Sequence, residues 1–300
     1  MSEKFKVAAV QMDVAFAAVD ENLARVEDKL AEAARHGAHL VVFPECALTG
    51  YCFDAYEEAM TVAEPIPGPA TERITAACRA TGSFAIVGML EADGERLFNA
   101  CVLVGPEGVV GTYRKVHMPR LGVDWLATPG DRPFEVHSTG PLRVGMNICY
   151  DGSFPEASRI MALAGADLLA LPTNWPPAAE HFARYVIPTR ALENHVYSLS
   201  ANRIGTERGF RFIGLSMICH PTGRPLAMAD HDREAILYAQ VDPAVARQKH
   251  LVRVPGKHEI DRLADRRPEM YGAITSPHTG EAAARDTSQP HRSAEQTAGS

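Results

Sequence analysis

Dense runs of Lys or Arg are missing from this 300-residue sequence, and acidic residues outnumber basic ones, which gives a net charge of −7. Binding to nucleic acid or to an anionic membrane usually relies on a concentrated positive patch. The sequence therefore disfavours both as partners and favours a small soluble molecule.

Long apolar runs are also missing from the sequence. No stretch approaches the roughly 20 residues that a membrane-spanning helix needs. The N-terminal segment, MSEKFKVAAVQMDVAF, lacks the apolar core of a signal peptide. We therefore expect a cytoplasmic protein.

Paired cysteines are the third missing feature. The six cysteines show neither the CxxC spacing of a zinc site nor the density of a disulfide framework. We expect reduced thiols, no metal site and no cofactor. Most buried cysteines are inert, so only a cysteine with chemical partners supports a functional interpretation. The six are Cys46, Cys52, Cys78, Cys101, Cys149 and Cys219.

Large apolar side chains become rare near the C-terminus. From Ala273 onward the sequence consists mainly of Ser, Thr, Gly, Ala, Pro and isolated charges, which cannot bury a core. We predict one domain over residues 1–272 and a flexible tail over residues 273–300. An arm that becomes ordered against a partner subunit is the alternative.

The remaining chain alternates between strand-like and helix-like segments. Leu23, Val26 and Leu30 recur at helical spacing after Asp20, the expected N-cap. A hairpin is expected around residues 106–108. The alternation predicts an α/β protein whose main sheet is covered by helices. The expected strands include VVF, FAIVGML, NACVLVG, GVVGTY, LRVGMNI, DLLALP and VYSLSAN.

Three chemically capable side chains follow apolar strands. Glu45 comes after VVFP, Lys115 ends the GTYR segment, and Cys149 follows VGMNI. In an open α/β fold, ligands bind at the edge where such strands end. Taken singly, a solvated loop acid, a surface lysine and a structural cysteine are the ordinary interpretations. Their order and their positions together predict one site.

The local sequences around these residues, FPE, YRK and CYDGSFPE, resemble the signature segments of the nitrilase superfamily of carbon–nitrogen hydrolases. The resemblance extends from about Lys6 to Gly272. It implies an α-β-β-α sandwich and a catalytic triad of Glu45, Lys115 and Cys149. It also implies association, as a homodimer or larger homo-oligomer, through the helices next to the sheet.

The chemistry of the three side chains agrees with the resemblance. A free thiol has a pKa of about 8.5, so Glu45 could take the proton of Cys149 during attack on an amide carbonyl. Lys115 and the backbone N–H of Tyr150 could stabilise the oxyanion. Glu45 would then protonate the leaving ammonia and activate the water that hydrolyses the thioester.

Two further sets of residues lie near the triad. The resemblance implies a second acid between the lysine and cysteine segments, where MPRLGVDWLATPG contains only Asp124. It would support Lys115 or position substrate, with an ordinary loop Asp as an equal alternative. An aromatic-walled pocket with a few polar groups would suit a small amide, and ordinary core packing is the alternative. The residues expected to bind substrate are Tyr51, Tyr150, Asn174 and Trp175.

The residues after the cysteine help to separate branches of the superfamily. Nitrilases tend to carry Trp-Glu there, whereas this chain carries Tyr150 and Asp151, which resembles an amidase. We predict hydrolysis of a small aliphatic or amino-acid-derived amide to a carboxylate and ammonia. An N-carbamoyl amino acid or amine amidohydrolase is the first alternative, and a nitrilase the second. A non-catalytic binding protein on the same fold would belong to a different class, and the intact triad argues against it.

Overall fold

Strands and helices alternate along residues 3–277, the part of the chain that the computed structural model describes. The strands are β1 (Phe5–Gln11), β2 (Ala38–Val42), β3 (Phe84–Asp93), β4 (Arg96–Gly105), β5 (Gly108–Arg114), β6 (Val136–Ser138), β7 (Arg143–Met146), β8 (Leu168–Thr173), β9 (Tyr197–Asn202), β10 (Ile204–Glu207), β11 (Phe210–Ile213), β12 (Met217–Cys219), β13 (Pro225–Met228), β14 (Ala235–Val241), β15 (Leu251–Val254) and β16 (His258–Ile260). The α-helices are α1 (Val19–Arg35), α2 (Tyr56–Met60), α3 (Pro69–Thr81), α4 (Pro155–Leu163), α5 (Ile187–Asn194) and α6 (Pro243–Arg247). Turns of 3-10 helix occur at Gly122–Trp125, Cys149–Ser153, Pro268–Met270 and Gly272–Thr275, and a π-helical turn occurs at Phe182–Val186.

Two six-stranded sheets form the centre of the described region. Their strand orders are β14-β1-β2-β3-β4-β5 and β13-β12-β9-β8-β7-β6. In the first sheet β1, β2 and β3 run parallel, and in the second β7, β8 and β9 do so. Antiparallel strands extend both sheets on either side. The carboxyl ends of the parallel strands carry the loops that matter for function.

The first sheet is buried on both faces because apolar residues occupy successive positions of β1. Val7 and Ala9 belong to the core between the sheets, whereas Ala8 and Val10 contact the core under α1 and α3. Successive side chains of a strand point to opposite faces, so one short apolar run serves both cores. Full burial of each Val stabilises the fold by about 1.5 to 3 kcal/mol.

The outer face of the second sheet is covered by α4. Met161 and Ala162 of that helix contact Leu169 of β8 and Val196, which precedes β9. The layers therefore follow the order helix, sheet, sheet, helix. This confirms the α-β-β-α sandwich expected from the sequence.

The structure confirms one predicted turn and corrects one predicted helix cap. The hairpin around residues 106–108 is confirmed, because β4 pairs with β5 across that turn. The predicted N-cap of α1 is wrong: Ala18 occupies that position, and Asp20 lies in the first turn, where its charge favours the helix dipole. The predicted tail lies outside the described residues from residue 278 onward. No helix within residues 3–277 is long and apolar enough to cross a membrane.

Candidate active site

The ends of three strands bring the predicted triad into one region. Glu45 lies in the loop after β2, Lys115 follows β5 directly, and Cys149 opens the 3-10 turn after β7. Glu45 and Lys115 are fully buried, whereas Cys149 is 9% exposed. Cys149 is therefore the member of the three that an incoming molecule can reach most readily.

Lys115 lies between two carboxylates. Its Nζ donates to Oε1 of Glu45 at 2.7 Å and to Oδ2 of Asp124 at 2.5 Å. Asp124 belongs to the Gly122–Trp125 turn and is fully buried, so it is placed as a support for Lys115 and not as a solvated loop acid. Removing one partner of such a buried pair generally costs about 3 to 5 kcal/mol. Among residues 3–277, no three His, Cys, Asp or Glu side chains are grouped so that they could hold a metal ion.

Asn99 of β4 connects the same two carboxylates. Its Nδ2 donates to Oε1 of Glu45 at 2.8 Å and to Oδ1 of Asp124 at 2.7 Å. The Cys46 thiol donates to Oδ1 of Asn99, with an S–O distance of 3.6 Å. Sequence reasoning missed Asn99. The available signal was a single amide side chain between apolar neighbours in β4, where a buried polar group needs partners.

The two oxygens of Glu45 have different surroundings. Oε1 accepts hydrogen bonds from Lys115 and Asn99, whereas Oε2 is buried without a partner. Leaving a buried polar atom unpaired generally costs about 1 to 3 kcal/mol. Such an atom in a native structure points to a catalytic role or to an absent partner.

Burial and neighbouring charges determine the protonation of the site. Burial raises the pKa of Glu45, and Asp124 raises it further, while Lys115 opposes both. Burial disfavours the charge of Lys115, but Asp124 and Glu45 outweigh it and hold the pKa of that ammonium well above its usual range. Burial and the charge of Glu45 raise the pKa of the Cys149 thiol, against the opposing charge of Lys115. Both effects favour the protonated thiol of Cys149 over the thiolate.

The turn that carries Cys149 is strained and firmly held. Cys149 has a φ of +46°, a left-handed conformation that costs a non-glycine residue about 1 to 3 kcal/mol. The buried carboxylate of Asp151 accepts from the Ile148 backbone N–H at 3.0 Å and from the Tyr113 hydroxyl at 2.7 Å. It also accepts from the backbone N–H of His117 at 3.0 Å. Asp151 thus ties the cysteine turn to the chain segment around Lys115.

Tyr51 is placed as a support for Asp124. Its hydroxyl donates to Oδ2 of Asp124 at 2.7 Å, and its ring packs edge-on against Phe212. The Glu207 carboxylate accepts from the backbone N–H of Tyr51 at 2.8 Å. The side chain is almost completely buried, so its hydroxyl reaches the site through Asp124.

The other residues expected to bind substrate lie next to the cysteine. Tyr150 is half-buried and packs edge-on against Phe154. The Asn174 backbone lies close enough to Cys149 to stabilise a thiolate, and both polar atoms of its buried side chain lack partners. Trp175 is buried against Phe182. Substrate binding by these residues remains a prediction.

The family was identified by comparison with known proteins. Residues 6–250 match the model of the carbon-nitrogen hydrolase family. The chain belongs to this family. It is therefore an enzyme that hydrolyses carbon–nitrogen bonds, and its assignment to the nitrilase superfamily is confirmed.

Named relatives of this carbon-nitrogen hydrolase differ in substrate. A nitrilase of Pyrococcus abyssi is 40% identical, over 89% of this chain and 98% of its own. An N-carbamoylputrescine amidase of Solanum lycopersicum is 32% identical, over 91% of this chain and 97% of its own. A solved amidase of Nesterenkonia sp. AN1 superimposes with a TM-score of 0.73 at 25% identity, over 88% of this chain and 94% of its own. That structure is a Glu-to-Gln variant with the acetamide moiety of fluoroacetamide added covalently at the active-site cysteine.

Proposed function

We propose that this carbon-nitrogen hydrolase is an amidase that converts a small aliphatic or amino-acid-derived amide to a carboxylate and ammonia. Cys149 is the nucleophile, Glu45 the general base, and Lys115 the stabiliser of negative charge. The observation that supports this most strongly is the unpaired Oε2 of Glu45, which lies in the same buried site as the thiol. A buried carboxylate with one unpaired oxygen is suited to accept a proton.

In the first half of the reaction, Oε2 of Glu45 takes the thiol proton as the sulfur of Cys149 attacks the carbonyl carbon. Two of the three N–H groups of Lys115 are committed to Glu45 and Asp124, which leaves the third for the oxyanion. The backbone N–H of Tyr150 is the second donor. Each such donor contributes roughly 3 to 4 kcal/mol of transition-state stabilisation.

In the second half, Glu45 returns the proton to the leaving nitrogen. The C–N bond breaks, ammonia departs, and a thioester joins the acyl group to Cys149. Glu45 then takes a proton from water as the water oxygen attacks the thioester carbonyl. When the C–S bond breaks, the proton returns to the sulfur, so one carboxylate serves as base and acid in both halves.

The choice of an amide rests on the residues beside the nucleophile. Tyr150 and Asp151 resemble the amidase form of the segment. Asn174 has an unpaired acceptor and an unpaired donor, which would complement the NH₂ and C=O of a primary amide. N-carbamoyl compounds present a similar group and remain the second candidate, with a named relative of that activity. Nitriles are the third candidate, since they offer no N–H group to the Asn174 side chain.

The free cysteines and the exposed apolar side chains bear on the cellular location and the assembly state. All six cysteines are free thiols, which suits the reducing cytoplasm. The neighbouring helices α4 and α5 expose Ile160, Leu163 and Leu192. Large apolar side chains grouped on an outer surface favour association. We therefore propose a cytoplasmic homodimer or larger homo-oligomer, built from a domain over residues 1–272 and a tail.

Ammonia release from a panel of small amides, N-carbamoyl amino acids and nitriles tests the function. Wild type should release ammonia from amides, and Cys149→Ala should not. Cys219→Ala is the matched control, because Cys219 is also a buried free thiol but lies in β12, away from the charged cluster. Turnover of nitriles alone would contradict the amidase proposal, and full activity in Cys149→Ala would exclude Cys149 as the nucleophile.

A further inference from the structure

Asn99 is the neutral side chain that touches the site most extensively. We infer that Asn99 is a positioning residue, which turns the Glu45 carboxylate so that one oxygen faces Lys115 and the other stays open to Cys149. This inference rests on the proposed function, because it assigns Asn99 a task in the work of Glu45.

The hydrogen bonds of Asn99 allow its amide a single orientation. Both acceptors that its Nδ2 faces, on Glu45 and Asp124, are carboxylate oxygens. The opposite end of the amide accepts from the Cys46 thiol. Flipping the amide would place its oxygen against two carboxylates and would lose three contacts. The Asn99 backbone carbonyl also accepts from the backbone N–H of Lys115 at 2.8 Å. Asn99 therefore holds the main chain of Lys115 as well as the two carboxylates that pair with the Lys115 side chain.

The open oxygen of Glu45 depends on this arrangement. An ammonium with three donors can bind both oxygens of one carboxylate when nothing holds that carboxylate in place. Lys115 would then also cover Oε2, and the base would lose the atom that accepts the proton. Asn99 prevents this rotation by holding Oε1 beside Lys115. A neutral amide does so without adding a charge to a cluster that already contains two acids and one base.

Several titratable groups face Glu45 from the surrounding elements. They are Lys115 after β5, Asp124 in the 3-10 turn, Cys149 after β7, and Cys46 and Tyr51 in the loop after β2. The hydrogen bond from Asn99 lowers the pKa of Glu45, because a carboxylate accepts such a bond more strongly than a carboxylic acid does. Loss of the amide therefore leaves Glu45 protonated up to a higher pH and moves the acid limb of its activity upward.

Alkylation of Cys149 by iodoacetamide, followed by mass spectrometry across a pH series, tests the inference without knowledge of the natural substrate. Asn99→Leu preserves the approximate size of the side chain and removes both donors. We expect alkylation near neutral pH to slow by about tenfold or more, as for other losses of catalytic geometry, and the acid limb to move to higher pH. With the amide that the panel identifies, kcat should fall in parallel while KM changes little.

Two further variants make the outcome decisive. Asn99→Asp keeps the shape of the side chain and should also move the acid limb upward, so it replaces Asn99→Leu if that variant does not fold. Ser83→Ala is the control for a lost buried hydrogen bond, since Ser83 donates to the Ala38 carbonyl at the far end of the sheet. It should lower thermal stability and leave the pH profile unchanged.

Glu45→Gln separates failure of the inference from failure of the proposed function. If Glu45→Gln slows alkylation but the Asn99 variants stay within about twofold of wild type, Asn99 does not position the base and the inference is wrong. If Glu45→Gln itself has no effect on alkylation or turnover, the base role proposed for Glu45 is wrong. If alkylation of Cys149 is slower in the Asn99 variants but the acid limb of its pH profile does not move, Asn99 has only a structural role and the inference is wrong.

Discussion

At the scale of single residues, the site is built on an imbalance of charge. Lys115 carries one positive charge and contacts two carboxylates, Glu45 and Asp124, in a space that excludes most water. The Asp124 carboxylate helps to keep Lys115 charged. It also raises the pKa values of Glu45, Cys46 and Tyr51, which disfavours their ionisation. Asp124 therefore affects the protonation of both Glu45 and Lys115.

Asp124→Asn should shift the pH profile of amide hydrolysis to lower pH as a whole. Without the Asp124 charge, the pKa values of both Glu45 and Lys115 fall, so the acid limb and the alkaline limb move in the same direction. We expect kcat/KM to decrease roughly 10- to 100-fold from disturbed geometry. The measurement is kcat/KM from about pH 5 to 10.

Asp131→Asn is the control for this prediction. Asp131 lies in the same long loop but pairs with Arg114 at 3.1 Å, outside the site. The pH profile of kcat/KM for Asp131→Asn should match that of wild type. Movement of the two limbs of Asp124→Asn in opposite directions would show that Asp124 does not act on Glu45 and Lys115 through its charge.

The sequence predicted some of these residues for a physical reason. Glu45, Lys115 and Cys149 each follow an apolar strand, and a strand end is a local signal. Asn99 has no such signal, because its role depends on β4 lying between β3 and β5 in the sheet. Asp151 was used only to separate branches, and its contacts to Tyr113 and His117 join segments far apart in the chain.

At the scale of elements, the loop after β2 lies across β3 at very short range. A Cβ atom on Gly88 would be 2.4 Å from the Pro44 carbonyl oxygen and 2.8 Å from the Cα of Glu45. Only glycine leaves room for the loop there. A similar contact brings Gly122 against the ring of Tyr51. The positions of Glu45 and Asp124 thus depend on Gly88 and Gly122, because a side chain at either glycine would collide with a neighbouring element.

Gly88→Ala should reduce activity more than it reduces stability. The new methyl group has to displace the backbone of Glu45, so we expect kcat/KM to fall by about 10- to 100-fold, with a stability loss of about 1 to 3 kcal/mol. Urea unfolding and amide turnover are the measurements. Gly272→Ala is the control, because its Cβ would meet no atom within 4 Å. Unaltered turnover in Gly88→Ala would contradict the close contact.

Lys249 provides a pH-dependent test at the end of α5. Its Nζ donates to the carbonyls of Asn194 and His195, and burial lowers its pKa to about 8, compared with about 10.4 for an ordinary lysine. Between these values the unfolded chain binds the proton more strongly, so stability rises with pH. The thermal midpoint of wild type relative to Lys249→Met should therefore rise between about pH 8 and 10. A constant difference would mean that Lys249 is not desolvated.

Element prediction succeeded where the signal was local. The hairpin around residues 106–108 was predicted because Pro106 and Gly108 are typical turn residues. The β10–β11 hairpin was not predicted, because Ile204–Glu207 and Phe210–Ile213 lack the clear alternation of a half-buried strand. Pairing across that hairpin comes from contacts that a single segment does not encode.

At the scale of the whole molecule, the site lies where the two sheets meet. Glu45 and Lys115 follow strands of the first sheet, whereas Cys149 and Asn174 follow strands of the second. The Asp151 contacts connect the two halves. Local sequence signals predicted that Glu45, Lys115 and Cys149 each follow a strand of one main sheet, whereas only the family resemblance implied two sheets packed against each other.

The exposed apolar side chains on α4 and α5 lead to a prediction about assembly. Wild type should be a dimer or a larger oligomer by size-exclusion chromatography with light scattering. Leu163→Asp should shift it towards a monomer, because the charge would be buried in the association surface. Val110→Asp is the control, since Val110 is also exposed but lies on β5. A monomeric wild type would contradict the proposed assembly.

The excess of acid over base around Lys115 also bears on oxidative damage. Peroxides attack cysteine thiolates and react poorly with thiols. Cysteine enzymes that rest as a thiolate beside a charged histidine are exposed to such oxidants at all times. Burial and the charge of Glu45 raise the pKa of the Cys149 thiol, and in the proposed mechanism the sulfur loses its proton only during attack on a substrate carbonyl. We therefore expect hydrogen peroxide to oxidise Cys149 more slowly than it oxidises an exposed cysteine of ordinary pKa.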